Sequence, residues 1–309
     1  MPHVNSLDII SFFIKYFRMN KKLVSFFASS GLLFTAAIWG LSFVVVKDSL
    51  DYMGAMYMIA CRYTIAAALM SLIFIKKWRL LNRDYIIHGT LTGAFLFLAY
   101  LTQTVGCRYT TAGKNAFLTT VYVILIPFIT WILTKKRPGI FVFIAAVMSL
   151  TGIGFLALGS EKVSGVNIGD VLTLICGIFF ALHIIFTERF NSKGGDPLFI
   201  TLLQFVFTAA AGWIFTALFE PSFSLQETFS SNVLFSILYL GIFSTMIGFS
   251  LQNLGLKYVK SSTASLFLSF ESVFGILFST IFLHEELTLL MIFGCVLIFA
   301  AVVIAENTK

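Results

Sequence analysis

Apolar runs of about twenty residues alternate along this chain with short polar clusters. A helix that crosses the hydrocarbon core of a bilayer needs about 20 apolar residues, so charges and turn residues act as punctuation. Read this way, the sequence predicts ten helical segments at roughly 28–47, 55–75, 86–106, 112–134, 140–158, 169–188, 198–219, 233–252, 262–283 and 289–305. The connectors are short, and none has the length of a soluble domain. The first run starts at Met19-Asn20-Lys21-Lys22 and continues to about Val46. That exceeds the roughly 7–15 residues of a signal-peptide core, and no Ala-x-Ala site closes it, so it is read as the first spanning helix. Met19 is a candidate natural start, and residues 1–27 are read as a cytoplasmic tail.

Composition sharpens this picture. Apolar residues make up 59% of the chain and charged residues 11%, against about 25% charged in soluble domains. Such a chain cannot cover a water-facing surface. Soluble enzymes, nucleic-acid binders and disulfide scaffolds are excluded. The four cysteines (Cys61, Cys107, Cys176, Cys295) lack metal-ligand or paired spacing, so no metal site, disulfide framework or cofactor is expected. His284-Glu285-Glu286-Leu287-Thr288 is no zinc motif, because Thr288 stands where the second histidine would be.

The net charge of +7 reflects orientation. With the N-terminus in the cytoplasm, Lys15, Arg18, Lys21, Lys22, Lys76, Lys77, Arg79, Arg83, Lys135, Lys136, Arg137, Arg189, Lys193, Lys257, Lys260 and Lys309 all fall inside, 16 of the 21 basic residues. Positive charge resists translocation, so this asymmetry favours ten spans with both termini inside; an odd count puts the later clusters on the wrong side. A multi-pass protein of the plasma membrane is expected.

The two halves of the chain resemble each other. An offset of 149 lays Tyr100-Leu-Thr-Gln-Thr-Val-Gly-Cys-Arg-Tyr109 over Phe249-Ser-Leu-Gln-Asn-Leu-Gly-Leu-Lys-Tyr258, matching Gln103 to Gln252, Gly106 to Gly255 and Tyr109 to Tyr258. An offset of 141 lays Trp39-Gly40 over Phe180-Ala181. The fold class predicted is therefore all-α integral membrane, ten transmembrane helices as two inverted five-helix repeats, 28–158 and 169–305. Five is odd, so the second unit enters the membrane upside down. Inverted repeats are the usual frame for alternating access around a midplane site; duplication can also give a symmetric bundle that transports nothing.

Several segments carry a resemblance to a known family: Ala37-Ile-Trp-Gly-Leu-Ser-Phe43 in the first helix, Cys61-Arg-Tyr-Thr-Ile-Ala-Ala67 in the second, Phe117-Leu-Thr-Thr-Val-Tyr-Val-Ile-Leu-Ile-Pro127 in the fourth, and Leu283-His-Glu-Glu-Leu-Thr288 before a tenth helix with Gly294. From about residue 30 onward the chain resembles the EamA group of the drug/metabolite transporter superfamily. That resemblance implies a polytopic importer or exporter that works without ATP, and no nucleotide-binding loop is present.

Polar side chains at membrane depth are the candidate site residues. Glu271, near the centre of the ninth segment, has Tyr122 as its mate at offset 149. It reads either as a coupling acid or as a carboxyl group bonded to Ser269 or Ser272. Asn115, Thr119 and Tyr122 share one helical face, as do Thr35, Trp39 and Ser42. These faces either line a cavity or pack against neighbouring helices with the hydroxyls bonded to i−4 carbonyls. His183 is read as a packing residue or a proton relay. Gln103 and Gln252 fall near opposite mouths, as gates or as helix-end caps. Arg62 needs a partner, for which Asp48 and Asp51 in the next loop are candidates. Lys47 and Glu188 sit at helix ends and can snorkel. Gly89 and Gly93 form a close-packing GxxxG pair, and Pro127 is expected to kink the fourth helix.

The function expected is secondary transport of a small organic metabolite, such as an amino acid, or of a drug-like compound, by alternating access, with proton coupling or exchange as energy sources. An integral-membrane enzyme and a non-transporting receptor or scaffold are the alternatives. The partners expected are a small-molecule substrate and the lipid bilayer, with a homodimer permitted and nucleic acid excluded. The topology predicts that a single cysteine placed after Ile304 reacts with a membrane-impermeant thiol reagent only from the cytoplasmic side; labelling from outside contradicts it.

Overall fold

The computed structural model describes residues 21–158, 167–220, 231–282 and 288–306. Residues 1–20, the start at Met19 among them, and His284, Glu285 and Glu286 lie outside them, while residues 21–27, read as tail, form the beginning of the first helix. Among the described residues the chain is all helical: α1 (Lys21–Ser49), α2 (Ala55–Ile73), α3 (Arg83–Tyr109), α4 (Ala112–Thr119), α5 (Tyr122–Thr134), α6 (Ile140–Leu158), α7 (Ile168–Ser192), α8 (Pro197–Phe219), α9 (Ser231–Leu238), a π-helical stretch (Tyr239–Ile247), α10 (Gly248–Gly255), α11 (Ser261–Leu268), α12 (Phe270–Phe282) and α13 (Leu289–Glu306). A 3₁₀ segment, Ile75–Leu80, links α2 to α3.

Among the described residues, eight helices are long and apolar enough to cross a membrane, counting α4 with α5, α9 with α10, and α11 with α12 as single spans; 140–155 and 292–301 are shorter apolar helices. At about 1.5 Å per residue, a 23-residue helix reaches roughly 35 Å, enough for a hydrocarbon core of about 30 Å. Large apolar side chains such as Phe34, Leu72, Ile132, Leu218 and Phe235 are exposed, as lipid contact requires.

Local chemistry sets several helix starts. Asn82 caps α3 and Thr111 caps α4, each accepting a backbone N–H bond. Asn167 and Asp170 form a reciprocal capping box at the start of α7. Asp196 caps α8, where Pro197 occupies the first turn.

Cross-contacts define two ends of the bundle. At one end, Lys47 Nζ reaches the carbonyls of Cys107 and Thr110 at 2.9 and 2.7 Å, Lys114 pairs with Asp170 at 2.7 Å, and Glu220 accepts from the N–H groups of Met56 and Tyr57. At the other end, Lys77 pairs with Asp196, whose N–H donates to the Tyr85 hydroxyl, and the Asn191 amide donates to the Asn253 carbonyl. The principal packing partners are α2 with α8, α6 with α13, α3 with α7, and α1 with α12. Small residues set the spacing. A Cβ on Gly89 would meet Leu203 Cβ at 2.7 Å, and one on Gly93 would meet Phe207 Cβ at 2.9 Å, so the GxxxG pair does bring α3 onto α8.

Two breaks were not marked by the sequence reading. Pro127 lies inside α5, and the fourth span is interrupted earlier, at Thr120 and Val121. There the Thr120 hydroxyl donates to the Phe117 carbonyl at 2.7 Å, competing with the regular helical ladder. The ninth span breaks at Ser269, whose hydroxyl donates to the Leu266 carbonyl at 2.7 Å.

Gly40 provides the test of close packing. A Cβ there would meet Phe274 Cβ at 2.5 Å and Gly275 N at 2.8 Å, whereas Gly154 faces open space. Overpacking costs about 1–3 kcal/mol, so Gly40→Ala is expected to lower the apparent Tm in detergent by several degrees while Gly154→Ala leaves it within about one degree.

Candidate functional site

A partly enclosed cavity lies among the helices. Its walls include Trp39, Tyr100, Tyr122 and Phe180, and its polar groups include Arg62, Gln103, Asn115, Thr119, Gln252 and Glu271. Val46 and Asn115 carry the lining to within a few residues of the end where Lys47 and Lys114 sit. Aromatic walls with a few placed polar groups are the usual composition of a small-molecule site.

The broken helices position the central pair. Tyr122 opens α5 just past the first break, and Glu271 lies in the first turn of α12 just past the second. The Tyr122 hydroxyl donates to Glu271 Oε1 at 3.1 Å, and both side chains are buried. Ser269 and Ser272, the partners considered from sequence, bond instead to the Leu266 and Ser269 carbonyls. Discontinuous helices are where membrane transporters expose backbone and polar groups to a central site.

Arg62 departs from expectation. Asp48 and Asp51 are exposed, and the guanidinium turns instead to the π-helical stretch, where Nε donates to Thr245 Oγ1 and Nη2 to Ser244 Oγ, both at 2.8 Å. It also lies 4.6 Å from the centre of the Tyr100 ring. The stretch is further tied down by Trp39 Nε1, which donates to the Ser244 carbonyl at 2.9 Å, and by the Tyr239 hydroxyl, which donates to the Ile38 carbonyl at 2.8 Å. Nine residues of π-helix are unusual, and such windings recur at functional sites.

The amides also sit differently. Gln103 and Gln252 both line the cavity, and neither side chain caps a helix end: Gln103 donates to Thr119 Oγ1 at 3.1 Å, and Gln252 meets the Asn253 side chain at 3.3 Å. Asn115 donates to the Gln103 carbonyl and to Thr173 Oγ1. Thr35 and Ser42 bond back to the Gly31 and Ile38 carbonyls, although Ser42 still faces the cavity. His183 is not among the lining residues; it is fully buried, edge-on to the Phe249 ring at 5.8 Å.

Sequence reading missed a polar cluster at the end where Lys77 pairs with Asp196. Asn253 donates to Thr201 Oγ1 at 2.6 Å and to Gln204 Oε1 at 3.1 Å, and Gln204 donates to Thr92 and Thr187. Asn191 joins through the Asn253 carbonyl. The amides of Asn253 and Gln204 inside apolar runs were the available signal. No group of three or more His, Cys, Asp or Glu suited to a metal occurs among the described residues.

This architecture defines a multi-pass membrane protein with an internal cavity. Comparison with known proteins gives the family: the EamA-like transporter family pattern matches twice, over 27–158 and 167–306. The chain belongs to that family, within the drug/metabolite transporter superfamily, and is a membrane transporter. It is 36% identical over 284 residues to an uncharacterized transporter of Archaeoglobus fulgidus, covering 91% of this chain and 86% of that protein. It is 22% identical over 274 residues to the uncharacterized transporter YoaV of Bacillus subtilis, covering 87% and 92%. A solved crystal structure, described simply as that of a protein, matches with TM-score 0.75 at 18% identity over 90% of this chain and 97% of its own; this is a likeness of fold.

Proposed function

We propose that the transporter moves a small organic metabolite, such as an amino acid, or a drug-like compound by alternating access between two inverted five-helix halves, 28–158 and 169–305. The observation that carries this reading is contact between matched positions. Residues related by a twofold axis touch each other only beside that axis. Tyr122 and Glu271 stand 149 residues apart and are hydrogen-bonded, and Tyr100 and Phe249, also 149 apart, have ring centres 5.9 Å apart. The axis of this reading therefore runs through the cavity.

Further matches support it. The ring pair Trp39–Phe249, at 4.9 Å, has its exchanged counterpart in Phe180–Tyr100, at 5.4 Å. Close approach of Gly106 to Thr173 has its counterpart in Gly255 against Leu32. The two helix breaks, at Thr120 and Ser269, are again 149 apart. Counting the two shorter apolar helices gives ten spans. With both termini in the cytoplasm of a plasma-membrane protein, the end with Lys47 and Lys114 is external, the cavity opens there in this reading, and the Asn253 cluster closes the internal side. Exchanging the halves' conformations would open the second side and shut the first.

Glu271 is the proposed coupling group, because it is an acid at the meeting of the halves with a neutral hydroxyl as its bonded partner. In proteoliposomes, Glu271→Gln is expected to lose the dependence of uptake on a pH gradient while retaining counterflow; unchanged dependence rules out the proton role. Trp39→Ala and Tyr122→Ala are each expected to raise the apparent KM about tenfold, roughly 1.4 kcal/mol of binding. An unchanged KM in both removes these walls from the site.

A further inference from the structure

Arg62 is the unusual charge in this molecule. It is 2% exposed, lines the cavity, and has only hydroxyl groups as hydrogen-bond partners among the described residues. The two ion pairs found there, Lys77–Asp196 and Lys114–Asp170, do not involve it. A guanidinium carries five N–H donors in a planar fork that fits a carboxylate with two parallel bonds. Nε and Nη2 each give one hydrogen to the π-helical hydroxyls, and Nη1 makes no hydrogen bond within the described protein. Ser244 and Thr245 thus fix the plane of the fork without neutralising its charge, and the Tyr100 ring lies 4.6 Å from it. A cation held this way keeps donors and an unneutralised charge on offer to an anion that enters the cavity.

A second observation bears on the same choice. At the end of the bundle where Lys47 and Lys114 sit, a polar recess is lined by these two residues, Arg108 and Asn167 together with Tyr109, Thr110 and Thr111. Asp170 is matched to Lys114, whereas Lys47 Nζ rests on main-chain carbonyls and Arg108 approaches the Met53 carbonyl. Lys47 follows Val46 of the cavity wall, and Lys114 precedes Asn115. An anion approaching the cavity from this end passes positive charge, which concentrates anions. Exposed Asp48 and Asp51 lie in the nearby loop and moderate that field without entering the recess.

We propose that Arg62 is the substrate-binding residue for a carboxylate, and that the cargo of this cavity is a small carboxylic acid whose apolar part lies against Trp39, Tyr100 and Phe180. This rests on the transport reading above and adds the substrate class. Glu271 shares the cavity, so a substrate that also carries an ammonium group would meet both signs, and a simple acid would meet Arg62 alone.

The test uses the purified full chain and sets of related compounds: phenylalanine, 3-phenylpropionate, phenylalaninamide and phenethylamine, with the corresponding leucine series. Melting-temperature shifts in detergent give affinity, and counterflow in proteoliposomes gives transport. At least one carboxylate is expected to stabilise the parent, with its amide and amine at least tenfold weaker. Stabilisation by phenylpropionate as well as phenylalanine identifies a simple acid site; stabilisation by the amino acids alone identifies a zwitterion site. Arg62→Lys, which retains the charge and loses the fork, is expected to weaken carboxylate binding tenfold or more, and Arg62→Gln to abolish it. The comparison of acid, amide and amine on the parent protein needs no variant and stands if these fold poorly. Silence from every carboxylate, equal binding of amides or amines, or parental affinity in folded Arg62→Gln overturns the proposal. Binding without counterflow would remove the transport reading and keep this one; counterflow of an amine unaffected by Arg62→Gln would do the reverse.

Discussion

A polar group at membrane depth must find its partners inside the protein, because the lipid around it offers none. Arg62 shows how far that constraint shapes the fold. An arginine at the centre of a membrane helix costs about 2.5–3.5 kcal/mol to insert. Two hydrogen bonds from a charged donor, about 1.5–3 kcal/mol each, offset that cost only where acceptors are held in place. The π-helical stretch holds them: Ser244 and Thr245 face the guanidinium, Trp39 secures the Ser244 carbonyl, and Tyr239 reaches back to α1. Three spans are joined in this way around one charge, and their junction forms a wall of the cavity.

The same constraint differentiates the two ends. At one end, Lys47 covers the last carbonyls of α3 and Lys114 answers Asp170. At the far end, amides and hydroxyls of Asn191, Asn253, Thr201, Gln204, Thr187 and Thr92 satisfy one another. Neutral hydrogen bonds of this kind are worth about 0.5–1.5 kcal/mol each. A cluster of them can hold one arrangement and still be exchanged for another, which is what a reversible closure in the proposed cycle requires.

Apolar periodicity made the helices legible, since every predicted segment falls on a helix within the described residues. It could not place the interruptions. Pro127 was the obvious candidate, yet the break lies at Thr120, where a hydroxyl rather than a missing N–H competes for a carbonyl. Offsets of 149 and 141 drew attention to Tyr122, Glu271, Trp39 and Phe180, all of which face the cavity. Offsets say nothing of lateral neighbours, so Arg62 was assigned to nearby aspartates when its partners lie 182 and 183 residues away. His183 shows the converse: a polar residue at the right depth whose ring turns towards Phe249 and away from the cavity.

The central claim is that the far end opens during each cycle, and that the Asn253 cluster must separate for it to do so. A disulfide between Thr201→Cys and Asn253→Cys, in a background lacking the native cysteines, tests this directly because those side chains are in hydrogen-bond contact across α8 and α10. Counterflow is expected to stop when the bond is formed and to return on reduction. Counterflow that continues undiminished with the cross-link complete would contradict the account.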